Sequence, residues 1–127
     1  MRLSETQRDE LLTHARETSP EECCGYGRMR DGRVEELVRA RNAYASPRYG
    51  FELDFQTLVA LNDLDDEGHG IVVYHSHPRS PAEPSQMDRN AAQYPHWLYV
   101  IVSPLEESIR AWWLRGGEVE EEPVEVA

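Results

Sequence analysis

The chain has 127 residues, which is the size of one ordinary domain. Acidic residues outnumber basic residues by 24 to 13, and the resulting net charge of -11 argues against binding to nucleic acid or to anionic membrane surfaces. The longest apolar runs, residues 71–74 and 97–102, are too short to cross a bilayer.

Composition also predicts the environment of the protein. All 13 basic residues are arginine, and an acidic, lysine-free surface is typical of proteins that stay soluble in a high-salt cytoplasm. We therefore expect a halophilic archaeal source, with a high-GC genome that favours arginine codons as the alternative. Residues 1–17 carry charges throughout and do not resemble a secretory signal. The only cysteines, Cys23 and Cys24, are neighbours and are expected to stay reduced in a cytoplasmic protein.

A helix and a hairpin are predicted in the first third of the chain. Ser4 and Gln7 match a capping box, and the apolar stripe that follows predicts a helix from about residue 4 to residue 18. Two strands are expected between residues 24 and 42. They are joined at Asp31-Gly32, a dipeptide suited to the positive φ angles of a tight turn.

Helices and strands are also expected in the rest of the chain. Asp54 can cap a second helix, residues 71–77 indicate a buried strand, and Ser85 can cap a short third helix that reaches about Gln93. The prolines between His77 and Ser85 exclude regular structure there. Further strands are predicted at residues 97–103 and 109–114, and residues 117–127 are expected to form an acidic edge strand or a loose tail. This order predicts an α/β fold with a mixed β-sheet and helices packed on it.

Three side chains around the proline-rich loop have the chemistry of a metal site. Residues two apart in a strand project from the same face, so His75 and His77 can direct both imidazoles to one point. Asp88, in the first turn of the third helix, can add a carboxylate oxygen. Two histidine nitrogens and one carboxylate form a catalytic zinc set with a fourth position open to water. Zinc lowers the pKa of that water towards about 7 and polarises a carbonyl, which predicts hydrolysis.

The spacing of these residues resembles a known signature. His75-Ser76-His77, seven residues, Ser85, two residues and Asp88 together are similar to the metal-binding motif of the JAMM metalloproteases, which are built on the MPN domain. Many members carry their catalytic glutamate in a Glu-x-Cys-Gly segment beside the first helix. Residues 22–25, Glu-Cys-Cys-Gly, stand at that place.

The resemblance implies a role for each of these residues. It implies one zinc ion per chain bound by His75, His77 and Asp88. Glu22 would be the general base that activates the zinc-bound water, with its neighbour Glu21 as the alternative base, and Ser85 would hydrogen-bond the oxyanion. Because the likeness extends over nearly the whole chain, it also implies a single MPN (JAB/JAMM) domain over residues 1–127.

The resemblance further implies a class of substrate. JAMM proteins that keep these residues are commonly peptidases at the carboxyl end of ubiquitin-like modifiers. In an archaeon this implies cleavage after the Gly-Gly of small archaeal modifier proteins, so the expected partners are these modifiers and their conjugates. One alternative is a peptidase that processes a sulfur-carrier protein. Another is a non-catalytic interaction module stabilised by zinc, which Glu22 argues against because a structural site needs no base.

Overall fold

Eight strands form one curled, mixed β-sheet that is accompanied by three helices, in a computed structural model that describes residues 1–127. In chain order the elements are β1 (Arg2–Leu3), α1 (Glu5–Thr18), β2 (Cys24–Arg30), β3 (Arg33–Ala40), α2 (Phe55–Asp66), β4 (Gly70–Ser76), α3 (Gln86–Ala91), β5 (Leu98–Ser103), β6 (Ser108–Arg115), β7 (Glu118–Glu122) and β8 (Glu125–Val126). The predicted α/β fold is confirmed. None of the three helices combines the length and the hydropathy that a membrane span requires.

Local sequence signals account for the boundaries of the helices. Ser4 and Gln7 form the reciprocal hydrogen bonds of a capping box at the start of α1, and the Asp54 carboxylate accepts from the backbone N–H of Thr57 at the start of α2. Asp31 and Gly32 take positive φ angles of 53° and 77° between β2 and β3. These elements lie where the sequence predicts them because each signal acts within a few residues.

The sheet order is β7-β6-β5-β4-β2-β3-β1-β8. β4 pairs antiparallel with β2 and parallel with β5, so it lies near the centre of the sheet. β7 and β8 stand at opposite ends of this order, although only residues 123 and 124 separate them in the chain. The three steps from residue 122 to residue 125 reach about 10 Å, whereas a flat sheet of this size would be about 34 Å wide. The sheet therefore curls until its two edges come close together.

The two faces of the sheet have separate cores. Val72 and Tyr74 of β4 belong to a buried cluster with Leu11 and Leu12 of α1. The alternate positions Ile71 and Val73 belong to a second cluster, which includes Leu61 of α2 and Trp97. Because successive strand residues alternate between faces, His75 lies on the same face as α2.

One expectation about the later elements needs correction, and the structure decides between two alternatives for residues 117–127. α3 ends at Ala91, and not near Gln93; none of its residues is buried, so no packing extends the helix towards Pro95. The C-terminal residues are not loose. β7 is an acidic edge strand, and β8 pairs parallel with β1. The sequence did not predict β1, and it did not separate β8 from β7 within residues 117–127, because two-residue strands have no periodicity to detect.

Candidate active site

The end of β4 and the start of α3 bring His75, His77 and Asp88 together. The two Nε2 atoms lie 3.1 Å apart. His75 Nε2 is 3.2 Å from Asp88 Oδ1, and His77 Nε2 is 3.0 Å from Asp88 Oδ2. Both imidazoles are buried. The three side chains therefore direct four potential ligand atoms towards one small region.

The cap of α3 sets the position of Asp88. Ser85 is the N-cap residue, and its Oγ accepts from the Asp88 backbone N–H at 3.0 Å. Asp88 Oδ2 accepts in return from the Ser85 backbone N–H at 2.9 Å. This capping box aims the carboxylate back towards the end of β4. Ser85 itself is exposed, and its hydroxyl hydrogen is not used by the cap because the cap needs only the oxygen as acceptor.

The proline-rich loop selects the tautomer of His77. His77 Nδ1 lies 2.8 Å from the carbonyl oxygen of Pro81, and because a carbonyl can only accept, Nδ1 carries a proton. In neutral His77 the lone pair is then on Nε2, which faces the Asp88 carboxylate. Two lone pairs 3.0 Å apart repel each other unless a cation lies between them. The site therefore requires either a proton on His77 or a metal ion.

The charge states of the cluster follow from the same contacts. Burial lowers the pKa of His77, but its contacts with Asp88 and Pro81 outweigh burial and leave the pKa raised. Burial raises the pKa of Asp88, but the hydrogen bonds with His75 and His77 bring it well below its usual range. The pKa of His75 is lowered because the ring is fully desolvated. Asp88 is thus a carboxylate and His75 is neutral, as metal ligands must be.

The donor set fits a tetrahedral divalent cation. Bonds of about 2.0–2.1 Å to nitrogen and oxygen place tetrahedral ligand atoms about 3.3 Å apart. The nearest separations in the cluster, 3.0 to 3.2 Å, are close to that value. A small shift of the side chains would admit the ion.

Glu22 is a buried carboxyl beside this cluster. Burial, as the main cause, and the charge of Asp88 raise its pKa to about 7, while His77 and Arg79 oppose the shift. Only 8% of Glu22 is exposed, and its Oε1 has no hydrogen-bond partner. In contrast, Glu21 is exposed at the surface. A carboxyl with a pKa near neutrality can both take and return a proton.

The segment around Glu22 is held against β4 by residues whose role the sequence did not predict. Ser76, between the two histidines, accepts from the Cys23 backbone N–H through its Oγ at 2.8 Å and donates its own backbone N–H to the Cys23 carbonyl at 3.1 Å. Gly25 is required nearby, since a Cβ there would overlap the Tyr74 ring. Burial raises the pKa of Cys23 to about 11, so this thiol is not an activated nucleophile.

Asn42 is a second residue that the sequence did not single out. Its Nδ2 donates to the carbonyl oxygens of Glu22 at 3.0 Å and Gly50 at 2.9 Å. Its Oδ1 accepts from the backbone N–H groups of Tyr44 at 3.0 Å and Glu52 at 3.2 Å. One amide therefore ties the Glu22 segment to the whole loop of residues 43–52.

That loop also supports His75. The Phe51 ring stacks on the imidazole of His75 with centroids 4.3 Å apart and planes within 17°. The Nδ1 atom of His75 has no hydrogen-bond partner, so the ring is held by this stacking and by the contact of its Nε2 atom with Asp88. Asn42 lies just after β3, and this position was the only feature of the sequence that could have drawn attention to it. No feature of the sequence singled out Phe51.

Comparison with known proteins identifies the class to which this site belongs. Residues 4–115 match the family model of prokaryotic homologs of the JAB domain, which is most of the chain. The chain belongs to this family and is a hydrolase of the JAMM/MPN metalloprotease class.

Several relatives and a solved structure are similar over most of their lengths. The chain is 37% identical to a desampylase of Haloferax volcanii over 110 residues, covering 80% of this chain and 79% of the relative. It is 34% identical to the CysO-cysteine peptidase of Mycobacterium tuberculosis over 125 residues, covering 91% and 84%. The solution structure of protein DSY2949 from Desulfitobacterium hafniense superposes with a TM-score of 0.82 at 32% identity, covering 99% of this chain and 92% of that one.

Proposed function

We propose that residues 1–127 form one zinc-dependent isopeptidase domain that hydrolyses the bond after the C-terminal Gly-Gly of ubiquitin-like small archaeal modifier proteins. The observation that carries the proposal is the convergence of His75, His77 and Asp88 beside Glu22, a buried carboxyl with a pKa of about 7. The similarity to a desampylase over 80% of the chain supports the substrate class.

Each residue has a defined task in this proposal. His75, His77 and Asp88 hold zinc, which when bound supplies Lewis-acid chemistry that acidifies water and polarises the scissile carbonyl. Glu22 accepts the proton of the attacking water on its carboxylate and delivers it to the leaving amine. Ser85 donates its hydroxyl hydrogen to the carbonyl oxygen as negative charge develops there.

The test of the base compares two adjacent glutamates. A Gly-Gly-linked modifier conjugate is incubated with zinc-loaded wild type, Glu22→Gln and Glu21→Gln, with the zinc content of each protein measured. We expect Glu22→Gln to lose about 100- to 10,000-fold in kcat at unchanged zinc content, and Glu21→Gln to stay within about twofold of wild type. Loss of activity in Glu21→Gln instead would assign the base to the exposed neighbour. Chelator must abolish wild-type cleavage, and failure to do so would remove the metal from the reaction.

The role of Ser85 needs a test that separates catalysis from capping. Ser85→Ala removes both the hydroxyl donor and the cap, whereas Ser85→Thr keeps both. We expect kcat to fall about 100- to 1,000-fold in the alanine variant and less than tenfold in the threonine variant. Loss of the cap alone changes stability by about 1 kcal/mol. An alanine variant with the stability loss but with full kcat would leave Ser85 as a cap only.

A second candidate substrate is a sulfur-carrier protein that bears a C-terminal amino acid. The observation that favours it is the 34% identity to the CysO-cysteine peptidase over 91% of this chain. A direct competition separates the two: a Gly-Gly isopeptide linked to lysine and a Gly-Gly peptide linked to cysteine are offered together, and the ratio of the two kcat/KM values is measured. A ratio that favours the cysteine peptide would assign the protein to sulfur-carrier processing.

We also propose that the protein works in the cytoplasm of a halophilic archaeon. The net charge of -11 and the absence of lysine support this setting, because concentrated salt screens the repulsion between surface carboxylates. Stability and activity should then rise with KCl concentration. A protein that is most stable and active in dilute buffer would instead have its arginine preference from codon usage.

A further inference from the structure

An apolar pocket of about 380 Å³ lies beside the metal cluster, on the same face of the sheet. Phe51 forms one wall and separates the pocket from His75, on which it stacks. Met87, the residue before Asp88, forms part of a second wall together with Ala91. Among the lining residues only Glu52 and Gln93 are polar. The pocket thus shares its walls with the site and has no basic group in its lining.

The sheet register relates the pocket to His75 along β4. Val73, which lines the pocket, precedes His75 by two residues in β4 and pairs with Tyr99 of β5, another lining residue. Two residues of a strand span about 7 Å. An extended Gly-Gly dipeptide has the same length. A substrate that extends along β4 from the scissile bond therefore places its Gly-Gly across Phe51. The residue before the Gly-Gly then lies above Val73 and Tyr99.

We infer that this pocket binds the side chain of the residue immediately before the Gly-Gly of the modifier, and that this side chain is large and apolar. The inference rests on the proposed function and specifies its substrate. The lining favours apolar groups because they leave water on entering it, whereas an acidic side chain would be desolvated there without a cation to pair with.

Such a pocket can recognise the substrate only on the modifier side of the scissile bond. A peptidase that releases one modifier from many targets meets a different chain on the amine side each time, while the modifier tail is common to every substrate. The Gly-Gly itself offers no side chain for recognition. The first side chain on the common side is therefore the one that a fixed apolar pocket beside the site can select.

The experiment varies the substrate and the pocket together. Peptides ending in Leu-Gly-Gly or Asp-Gly-Gly, linked through the glycine carboxyl to the lysine of a reporter peptide, are cleaved by zinc-loaded wild type and by Ala91→Phe, which fills the pocket from an exposed position of α3. Asn90→Phe adds the same ring one residue earlier, at an exposed position that does not line the pocket, and serves as the matched control. Leu58→Ala, which widens the pocket from α2, is the second pocket variant.

We expect wild type and Asn90→Phe to cleave the leucine peptide about 10- to 100-fold more efficiently than the aspartate peptide, measured as kcat/KM. Ala91→Phe should lose most of this preference through slower cleavage of the leucine peptide, and Leu58→Ala should lose part of it. If the effects of the pocket substitution and of the leucine-to-aspartate change on kcat/KM are not additive, the difference measures the contact between the pocket and the substrate side chain.

The other outcomes separate this inference from the proposed function. Equal cleavage of the two peptides by wild type would overturn the pocket inference and leave the isopeptidase assignment intact. The same holds if both pocket variants keep the full preference for leucine. If zinc-loaded wild type cleaves neither peptide nor a complete modifier conjugate, the proposed function fails, and the pocket inference fails with it.

Discussion

The two faces of the sheet use apolar residues differently. On the α1 face, Leu11, Leu12 and Ala15 of one helix are all buried against the sheet. On the opposite face, α2 buries only Leu61 and α3 buries no residue. Large apolar side chains remain exposed on that side, among them Phe55 at 79% and Met87 at 40%. Both faces have a buried core, but the first is closed by its helix whereas the second stays open around the candidate active site.

The two faces also differ in whether their buried polar groups have hydrogen-bond partners. On the α1 face, His14 Nδ1 lies 2.7 Å from the Tyr74 hydroxyl, so the two buried polar groups satisfy each other. Beside the metal cluster, Glu22 Oε1 is buried without a partner, and the desolvated carboxyl has a raised pKa. An unsatisfied buried carboxyl reduces stability, and in the proposed function this cost is located where a proton moves. The closed face thus satisfies its buried polar pair, while the open face leaves one buried carboxyl without a partner.

The strongest test of this contrast is a pair of truncations, one on each face. Leu11→Ala removes a side chain that is 2% exposed and should lower the free energy of unfolding by about 2–5 kcal/mol. Phe55→Ala removes a side chain that is 79% exposed and should change it by less than about 0.5 kcal/mol. Denaturant unfolding of the metal-free proteins measures both. Comparable losses in the two variants would mean that the Phe55 ring is packed in solution and that this part of the α2 face is not open.

Zinc should stabilise the protein through the open face alone. At a free zinc concentration 1,000 times the dissociation constant, binding to the native state adds about 4 kcal/mol. We expect this gain, seen as a rise in Tm, to be the same in wild type and Leu11→Ala, because that substitution lies on the other face. Asp88→Asn should lose the gain, since it removes one of the charged ligands. A full zinc response in Asp88→Asn would exclude Asp88 as a ligand.

The raised pKa of Glu22 predicts a pH dependence of the metal-free protein. The native carboxyl keeps its proton up to about pH 7, whereas the unfolded chain releases it near the ordinary pKa of 4.5. The unfolded state then binds fewer protons, so stability falls as pH rises through this window, by about 3 kcal/mol at most. Glu22→Gln should be free of this loss and should therefore exceed wild type in stability at about pH 8.

Denaturant unfolding across the pH range checks this expectation. The quantity to compare is the difference between wild type and Glu22→Gln, because other carboxyls, such as Asp88 with its lowered pKa, titrate in both proteins. Glu21→Gln is the control and should follow wild type. Parallel curves for wild type and Glu22→Gln would show that the Glu22 carboxyl is solvated in the folded protein.

Asn42 provides the smallest expected effect, and it tests how the two regions are joined. Asn42→Ala removes the hydrogen bonds that link the Glu22 segment to residues 43–52, and we expect kcat to fall about 10- to 100-fold while KM and zinc content change little. Asn42→Asp keeps the acceptor oxygen for Tyr44 and Glu52 but loses the donor to Glu22, so an intermediate kcat is expected. A change in KM alone would place Asn42 in substrate binding instead of in the positioning of Glu22.

The sequence was most informative where the signal is local. The capping residues Ser4, Asp54 and Ser85 and the turn at Asp31-Gly32 lie where they were expected. The family was also predicted correctly, because its motif is defined by the spacing of residues along the sequence. Neither Asn42 nor Phe51 was predicted, because their partners Glu22 and His75 are 20 and 24 residues away and no periodicity connects them.

The amino-acid order by itself determined which side chains can serve as ligands, where the helices begin and that His75 and His77 can point to the same side of the sheet. These properties depend on neighbours along the chain and on the alternation of a strand. The tertiary structure decided the rest: the burial that raises the pKa of Glu22 to about 7, the pairing of β8 with β1, and the apolar pocket beside the ligands. Burial, strand order and cavities arise when distant segments meet, so desolvation and packing, which no local pattern records, set the chemistry of the site.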